Sequence, residues 1–361
     1  MKHFYFLFLL TTYYTFAQLT PPANLQSYYN GVDFNKTGTN LFNDLAVTTA
    51  SKHTNYITYS NVWEADKITD EDPANSNNVL LIYGYNDNDG NYITDRSRSK
   101  TLNGGTQGTD WNREHTFPNS LAVPSLDDSG SNVPPYADAH NLRPSDVRMN
   151  NNRGNLLFAA GSGNSGNVSG NWYPGDEWKG DVARIIMYMY LRYGTQCKPS
   201  YTAVGTTNSV DSNMINLLLQ WNAEDQVSTI EDNRNTYHGN ASNTYGQGNR
   251  NPFIDNPYLA TLIWGGTSAQ NRWSSLSTKN IAIIDFSMYP NPTKENLLNI
   301  VTSNYSANLN IEIYNILGAS VLKQKLNNNA KEINISTLKS GIYLVKLQSE
   351  TGSITKKLVK N

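Results

Sequence analysis

Cysteine is almost absent. The chain has one, Cys197, which excludes an internal disulfide and a cysteine-based zinc site. Histidine is also scarce. After Glu114-His115 the residue four on is Asn119, so the paired histidines of a zinc-protease helix are missing. Beyond the first 17 residues no apolar run reaches the ~18 residues of a membrane-spanning helix. Excess positive charge is lacking where a polyanion binder would need it. The formal net charge is −2, and residues 18–287 hold 18 basic against 26 acidic side chains. Bulk electrostatics therefore cannot carry nucleic-acid binding there, and a polyanion site has to be a local groove helped by a cation.

What is present suits an exported globule. Met1–Ala17 reads MKHFYFLFLLTTYYTFA: one lysine, an apolar-aromatic run, then a small residue before Gln18. That is the pattern of a secretory signal peptide rather than an anchor. A 38% hydrophobic, 11% aromatic chain of 361 residues can bury a sizeable core and is long enough for two domains. The expected organisation is a signal peptide (1–17), a main domain (18–273), a linker (274–287) and a small C-terminal domain (288–361).

Within the main domain a helix is expected around Asn40–Thr54, and VLLIYGYNDNDGNY (79–92) reads as strand, Asp-Gly turn and return strand. NDNDG is similar to part of a calcium loop, but Tyr85 and Arg96 stand where that loop needs acidic ligands, so a turn is expected. AAGSGNSGNVSGN (159–171) reads as a flexible surface loop. GDVARIIMYMYLRYG (180–194) is the strongest helix, apolar on most of its circumference and hence buried, with its methionines as core filler. SNMINLLLQWNAED (212–225) and PYLATLIWG (257–265) are further helices. From residue 288 the pattern becomes five to seven short alternating strands. The fold class is α+β, followed by an all-β sandwich. Residues 288–361 carry nine lysines and four glutamates, with no His, Cys or Asp, and so no visible chemistry.

The chemistry concentrates in WNREHTFPNS (111–120) and ADAHNLRPSDVRMNNNRGN (137–155). A Glu-His pair among prolines and small residues suits a loop or strand edge. Pro144 and SDVRMNNNR suggest a turn entering a short helix, on which Asn150 and Arg153, three apart, share a face. Metal-assisted phosphodiester cleavage needs a hard cation held by one carboxylate and a neutral oxygen, a histidine base and an arginine. Glu114, an Asn carbonyl, His115 and a nearby Arg would serve.

REHTFPNS and DAHNLRPSDVRMNNNRGN, followed by GDVARIIMYMYLRYG, LLLQWNAEDQVSTIEDNRN and QGNRNPFIDNPYLATLIWG, resemble the endonuclease I family of secreted nucleases, which use a ββα-metal (His-Me) finger. The resemblance implies that Glu114 ligates Mg²⁺ (with Mn²⁺ or Ca²⁺ as alternatives), that Asn150 is the second protein ligand, and that His115 is the general base. It implies that Arg153 and Asn155 support the finger helix and the phosphate, that His140 and Asn141 orient the finger, and that products carry 5′-phosphates. The implied substrate is DNA, and RNA with it, and a monomer is expected. MYPNPTKENLLNI, GIYLVKLQS and ITKKLVK resemble a type IX secretion sorting domain, which implies the secretion machinery as partner, export across both membranes and no stable membrane insertion.

The chain departs from that pattern in places. No Arg or Lys lies between Thr116 and Ala139, where relatives often carry a phosphate-contacting cation, so either Arg113, Arg143 or Arg148 substitutes or affinity is low. Asn256 stands where relatives often have His. TYHGNASNTYG (236–246) reads as an insertion with His238 in solvent, and His53 as a surface residue. Two other functions compete: a polymer-binding or adhesion protein on a degenerate scaffold, and a metal-dependent phosphoesterase for small substrates.

Overall fold

The computed structural model describes residues 19–127, 130–273, 286–302, 309–326, 332–348 and 353–361. The expected signal peptide and most of the expected linker lie outside the described residues. The chain divides between Ser274 and Ser275 into two compact units.

The first unit mixes helices with short antiparallel sheets. It opens with α1 (Ala23–Gln26), α2 (Gly38–Lys52) and α3 (Tyr59–Thr69). Thr58 and Asn61 form a reciprocal capping box at the start of α3. Strands β1 (Glu71–Asp72), β2 (Asn75–Leu80) and β3 (Ser97–Ser99) make a three-stranded sheet in that order. The hairpin expected over 79–92 is thus a wider connection, because β2 ends at Leu80 and pairs with β3. The NDNDG segment folds on its own main chain: Asp87 Oδ1 accepts from the Arg96 and Ser97 amides at 2.6 and 2.9 Å, and Asp89 Oδ1 from the Asn91 amide at 2.8 Å.

Next come β4 (Trp111–His115) and β5 (Leu142–Asp146), an antiparallel pair, with β5 running straight into α4 (Val147–Arg153). The turn expected at Pro144 is therefore strand. Part of the expected flexible loop is the hairpin of β6 (Gly166–Val168) and β7 (Asn171–Tyr173). The remaining helices are α5 (Lys179–Tyr193), α6 (Asn216–Glu224), α7 (Thr229–His238), α8 (Pro252–Asp255) and α9 (Tyr258–Trp264). Helix α6 starts later than expected, since Asp211 accepts from the Asn213 amide at 3.0 Å and holds 211–213 as a turn.

Helix α5 is the axis of this unit. Every residue from Gly180 to Leu191 is buried, including Met187 and Met189, and α5 packs against α2, α6 and α8. An all-round apolar surface is what a central helix requires. Among the described residues no helix is long and apolar enough to cross a membrane.

Charges are buried in this core as well. Arg143 on β5 donates to Asp70 at 2.7 Å and to Asp181, in the first turn of α5, at 2.8 Å. Arg234 on α7 binds Asp70 too, and donates to the Ala139 and Leu142 carbonyls at 2.6 and 2.7 Å. Arg184 forms a two-pronged pair with Glu231 at 2.5 and 2.8 Å.

The second unit holds β8 (Phe286–Tyr289), β9 (Leu297–Thr302), β10 (Leu309–Asn315), β11 (Ser320–Leu326), β12 (Glu332–Asn334), β13 (Gly341–Gln348) and β14 (Ser353–Lys360). Its first strand begins at Phe286, inside the expected linker. A four-stranded sheet, β11-β10-β13-β14, and a three-stranded one, β12-β9-β8, bury one cluster between them. Register explains it: Ile311 faces Leu347 and Ile313 faces Val345, so alternate residues point inward.

Removing the Arg143 guanidinium leaves Asp70 and Asp181 short of their shared partner. Arg143→Ala is expected to destabilise the first unit by about 3–5 kcal/mol. All seven tryptophans (63, 111, 172, 178, 221, 264 and 273) lie in that unit, so urea unfolding followed by tryptophan fluorescence reads it selectively. A loss below ~1 kcal/mol would show that the network contributes nothing net.

Candidate active site

Strand β4 presents two faces. Asn112 and Glu114 point to the side of α4; Arg113 and His115 point to the side of α3. Helix α4 is fixed at both ends. Asp146, its N-cap, accepts from the Arg148 and Met149 amides at 2.7 and 2.9 Å, and Arg98 holds its other oxygen at 2.5 Å. Gly154, at φ 53°, ends the helix just after Arg153.

Two rungs join α4 to β4. Asn150 Nδ2 donates to Asn112 Oδ1 at 2.8 Å, and Arg153 pairs with Glu114 at 3.3 Å. With its amino end engaged, Asn150 keeps its carbonyl oxygen for another partner. Glu114 is buried and also accepts from the Tyr83 hydroxyl at 3.0 Å. Burial pushes its carboxyl up to about 7, against the pull of Arg153 and the Tyr83 hydrogen bond. Arg153 is fully buried. Besides Glu114 it serves the His115, Thr116 and Gly154 carbonyls at 3.3, 2.9 and 3.1 Å, so it braces the end of β4. Asn155 is exposed.

On the other face, His115 packs against the Tyr59 and Tyr136 rings, with centroids 5.5 and 4.6 Å away. Its Nε2 is 2.9 Å from the Tyr136 carbonyl. A carbonyl only accepts, so Nε2 carries the proton and Nδ1 the lone pair. Burial lowers its pKa to about 4, which keeps the imidazole neutral at physiological pH. The segment that follows is held by Asn141, whose side chain accepts from the Phe117 amide at 2.7 Å and donates to its carbonyl at 3.1 Å.

The donor set here is one carboxylate and one amide carbonyl. That suits a hard divalent cation which keeps several waters. Among the described residues no group of three or more His, Cys, Asp and Glu side chains gathers as a metal cage. Of the arginines considered for phosphate, Arg143 is committed to Asp70 and Asp181. Arg113 is clamped between the Tyr59 and Trp63 rings, 3.5 and 4.0 Å from their centroids. Arg148 is exposed and donates to Gln107 at 2.6 Å. Arg250 and Asn251 are structural: Arg250 pairs with Asp255 at 2.7 Å, and Asn251 caps α8. Asn256 binds Asn271 at 3.0 Å, a packing role.

Two expectations fail. His238 and His53 are buried, not exposed. Helix α7 turns Glu231, Arg234, Asn235 and His238 inward at helical spacing, a polar stripe that no hydrophobic pattern announces. His238 meets the His140 ring edge-on at 5.3 Å, and His53 Nδ1 accepts from Arg192 at 3.3 Å. Tyr59, Tyr83, Tyr136 and Asn112 were not anticipated. Strand alternation could have flagged Asn112, but nothing local marks tyrosines that are distant in sequence.

Comparison with known proteins gives the class and then the family. Residues 34–258 match Endonuclease I, and residues 287–361 match the Secretion system C-terminal sorting domain. The chain belongs to the endonuclease I family: it is a nuclease, and its place is outside the cell or on its surface. It is 41% identical over 258 residues to the Extracellular ribonuclease of Bacillus subtilis (strain 168), covering 69% of this chain and 82% of that protein. It is 40% identical over 258 residues to the Extracellular ribonuclease of Bacillus amyloliquefaciens, covering 69% and 81%. The solved structure of dimeric latent PorU from Porphyromonas gingivalis is similar over 22% of this chain and 9% of its own length, at 23% identity and a TM-score of 0.17. That is too little to bear on the fold.

The buried histidines make a pH prediction. Burial lowers the pKa of His53 to about 4 against the opposing pull of Asp138, and lowers those of His140 and His238. Between pH 6.5 and 4 the unfolded chain then binds protons that the folded chain refuses, so their contribution to stability is lost as pH falls. Buried carboxyls such as Asp66, raised by burial to about 7, act in the opposite sense, so the test is differential. His53→Gln is expected to cut the stability lost between pH 7 and pH 5 by about 2 kcal/mol, read from urea midpoints. Parallel pH profiles for parent and variant would refute it.

Proposed function

We propose that this chain is a divalent-cation-dependent endonuclease of the ββα-metal type, cutting DNA and RNA with little sequence preference and leaving 5′-phosphates. The observation that carries the reading is the setting of His115 on β4. A neutral imidazole, with Nε2–H committed to a carbonyl, sits next in sequence to a buried carboxylate paired with Arg153 of α4, and Asn150 of the same helix meets Asn112 of the same strand. The names of the two Bacillus relatives support RNA among the substrates. A site that reads phosphates rather than bases supports DNA as well.

His115 Nδ1 takes a proton from a water, whose oxygen attacks phosphorus. The P–O3′ bond breaks, the phosphate stays on the 5′ side, and the 3′ oxygen leaves and is protonated by solvent. Glu114 and the Asn150 carbonyl would hold Mg²⁺, with Mn²⁺ and Ca²⁺ as alternatives. A bound cation would supply charge neutralisation at the phosphate and at the departing oxygen. Arg153 holds the carbonyls that follow the base, and Arg148 is the exposed cation on the finger helix. Residues 288–361 would engage the type IX secretion machinery, and the nuclease would act as a monomer.

Supercoiled plasmid and a structured RNA, incubated with the full chain plus Mg²⁺, Mn²⁺, Ca²⁺ or EDTA, test this. Cleavage is expected to need the cation and to fall about 10²–10⁴-fold in His115→Ala. Cleavage that persists in EDTA, or an equally active variant, would sink the proposal.

A further inference from the structure

Tyr83 is fully buried yet has a backbone φ of 73°, in the left-handed region. For a bulky side chain that conformation is strained and persists only where the surroundings impose it. Here they do. The Ser165 hydroxyl donates to the Tyr83 carbonyl at 2.5 Å, and Trp178 Nε1 to the Gly84 carbonyl at 2.8 Å. Gly84 lies so close to the next segment that a Cβ there would be 2.1 Å from the Asp95 carbonyl oxygen. Just upstream, the Ile82 amide donates to the Pro144 carbonyl at 2.8 Å, tying the segment to β5. The Tyr83 ring rests edge-on against Trp172.

This backbone delivers one polar atom. The Tyr83 hydroxyl donates to Glu114 Oε1 at 3.0 Å, from 31 residues away in sequence. Arg153 reaches the same oxygen at 3.3 Å. Among the described residues both donors fall on Oε1, so Oε2 is the oxygen turned to any further partner.

We propose that Tyr83 is a positioning residue: its hydroxyl, delivered by the left-handed backbone, locks the Glu114 carboxylate so that it offers a divalent cation the single oxygen Oε2. The inference rests on reading Glu114 as a cation ligand. It adds the group that aims that ligand, a role neither the motif nor strand geometry assigns.

Tyr83→Phe removes only the hydroxyl and keeps the ring in the core. Calorimetric titration of the full-length protein with Mg²⁺, and separately Mn²⁺, without nucleic acid, reads cation binding directly. Tyr83→Phe is expected to raise the Kd about tenfold, while kcat at saturating cation stays within about threefold of the parent. Ser165→Ala, which frees the Tyr83 carbonyl, is expected to shift the Kd the same way by a smaller factor; it serves as the test if Tyr83→Phe does not fold. If the parent and both variants bind the cation equally while Glu114→Gln loses it, Glu114 stands as ligand and the role of Tyr83 is overturned. Lower kcat at saturating cation with an unchanged Kd overturns it too. If the parent binds neither cation, the reading of Glu114 fails, and this inference fails with it.

Discussion

The buried guanidinium of Arg143 holds the parts of the nuclease unit in relation to one another. It sits on β5 opposite Glu114 in register. It reaches Asp70, next to α3, and Asp181, at the start of α5. The helix that forms the core and the strand that carries the site therefore share one ion pair. Arg234 binds the same Asp70 and the carbonyls leading into β5, which adds α7 to the assembly. Buried charges are costly unless every one is paired, so this arrangement admits few alternatives.

The strand built on that network separates two tasks by alternation alone. Glu114 and Asn112 face α4; His115 faces two tyrosine rings. Burial acts on both functional side chains, raising the carboxyl to about 7 and lowering the imidazole to about 4. For the proposed base this is useful, because it stays unprotonated at neutral pH. For the carboxylate it means that ionisation depends on nearby positive charge, from Arg153 and, in the proposed mechanism, from a cation.

The C-terminal unit is independent in composition and core. Its residues 288–361 carry nine lysines and four glutamates and no tryptophan, and its buried cluster draws on both of its own sheets. Among its described residues no group of His, Cys, Asp and Glu side chains gathers as a metal cage. Its match to the secretion sorting domain accounts for it as an addressing module.

The sequence by itself determined a good deal. Local patterns persist whatever the tertiary context, so the central helix over 180–194, the break in character near residue 288 and the Glu-His segment with its Asn-rich helix were all readable. Ordered motifs also carried the family. Other features were decided only by the folded chain. Strand β5 enters α4 without a turn, because Asp146 can be both last strand residue and N-cap. His238 is interior because α7 turns Glu231, Arg234, Asn235 and His238 inward, and His53 because it follows α2 into the core beside Arg192. The tyrosines that hold His115 and Glu114 come from 21 to 56 residues away in sequence. Which arginine braces β4 and which lies exposed follows from packing around a network of long-range ion pairs. Those choices depend on contacts between distant segments, for which a single sequence has no period and no motif.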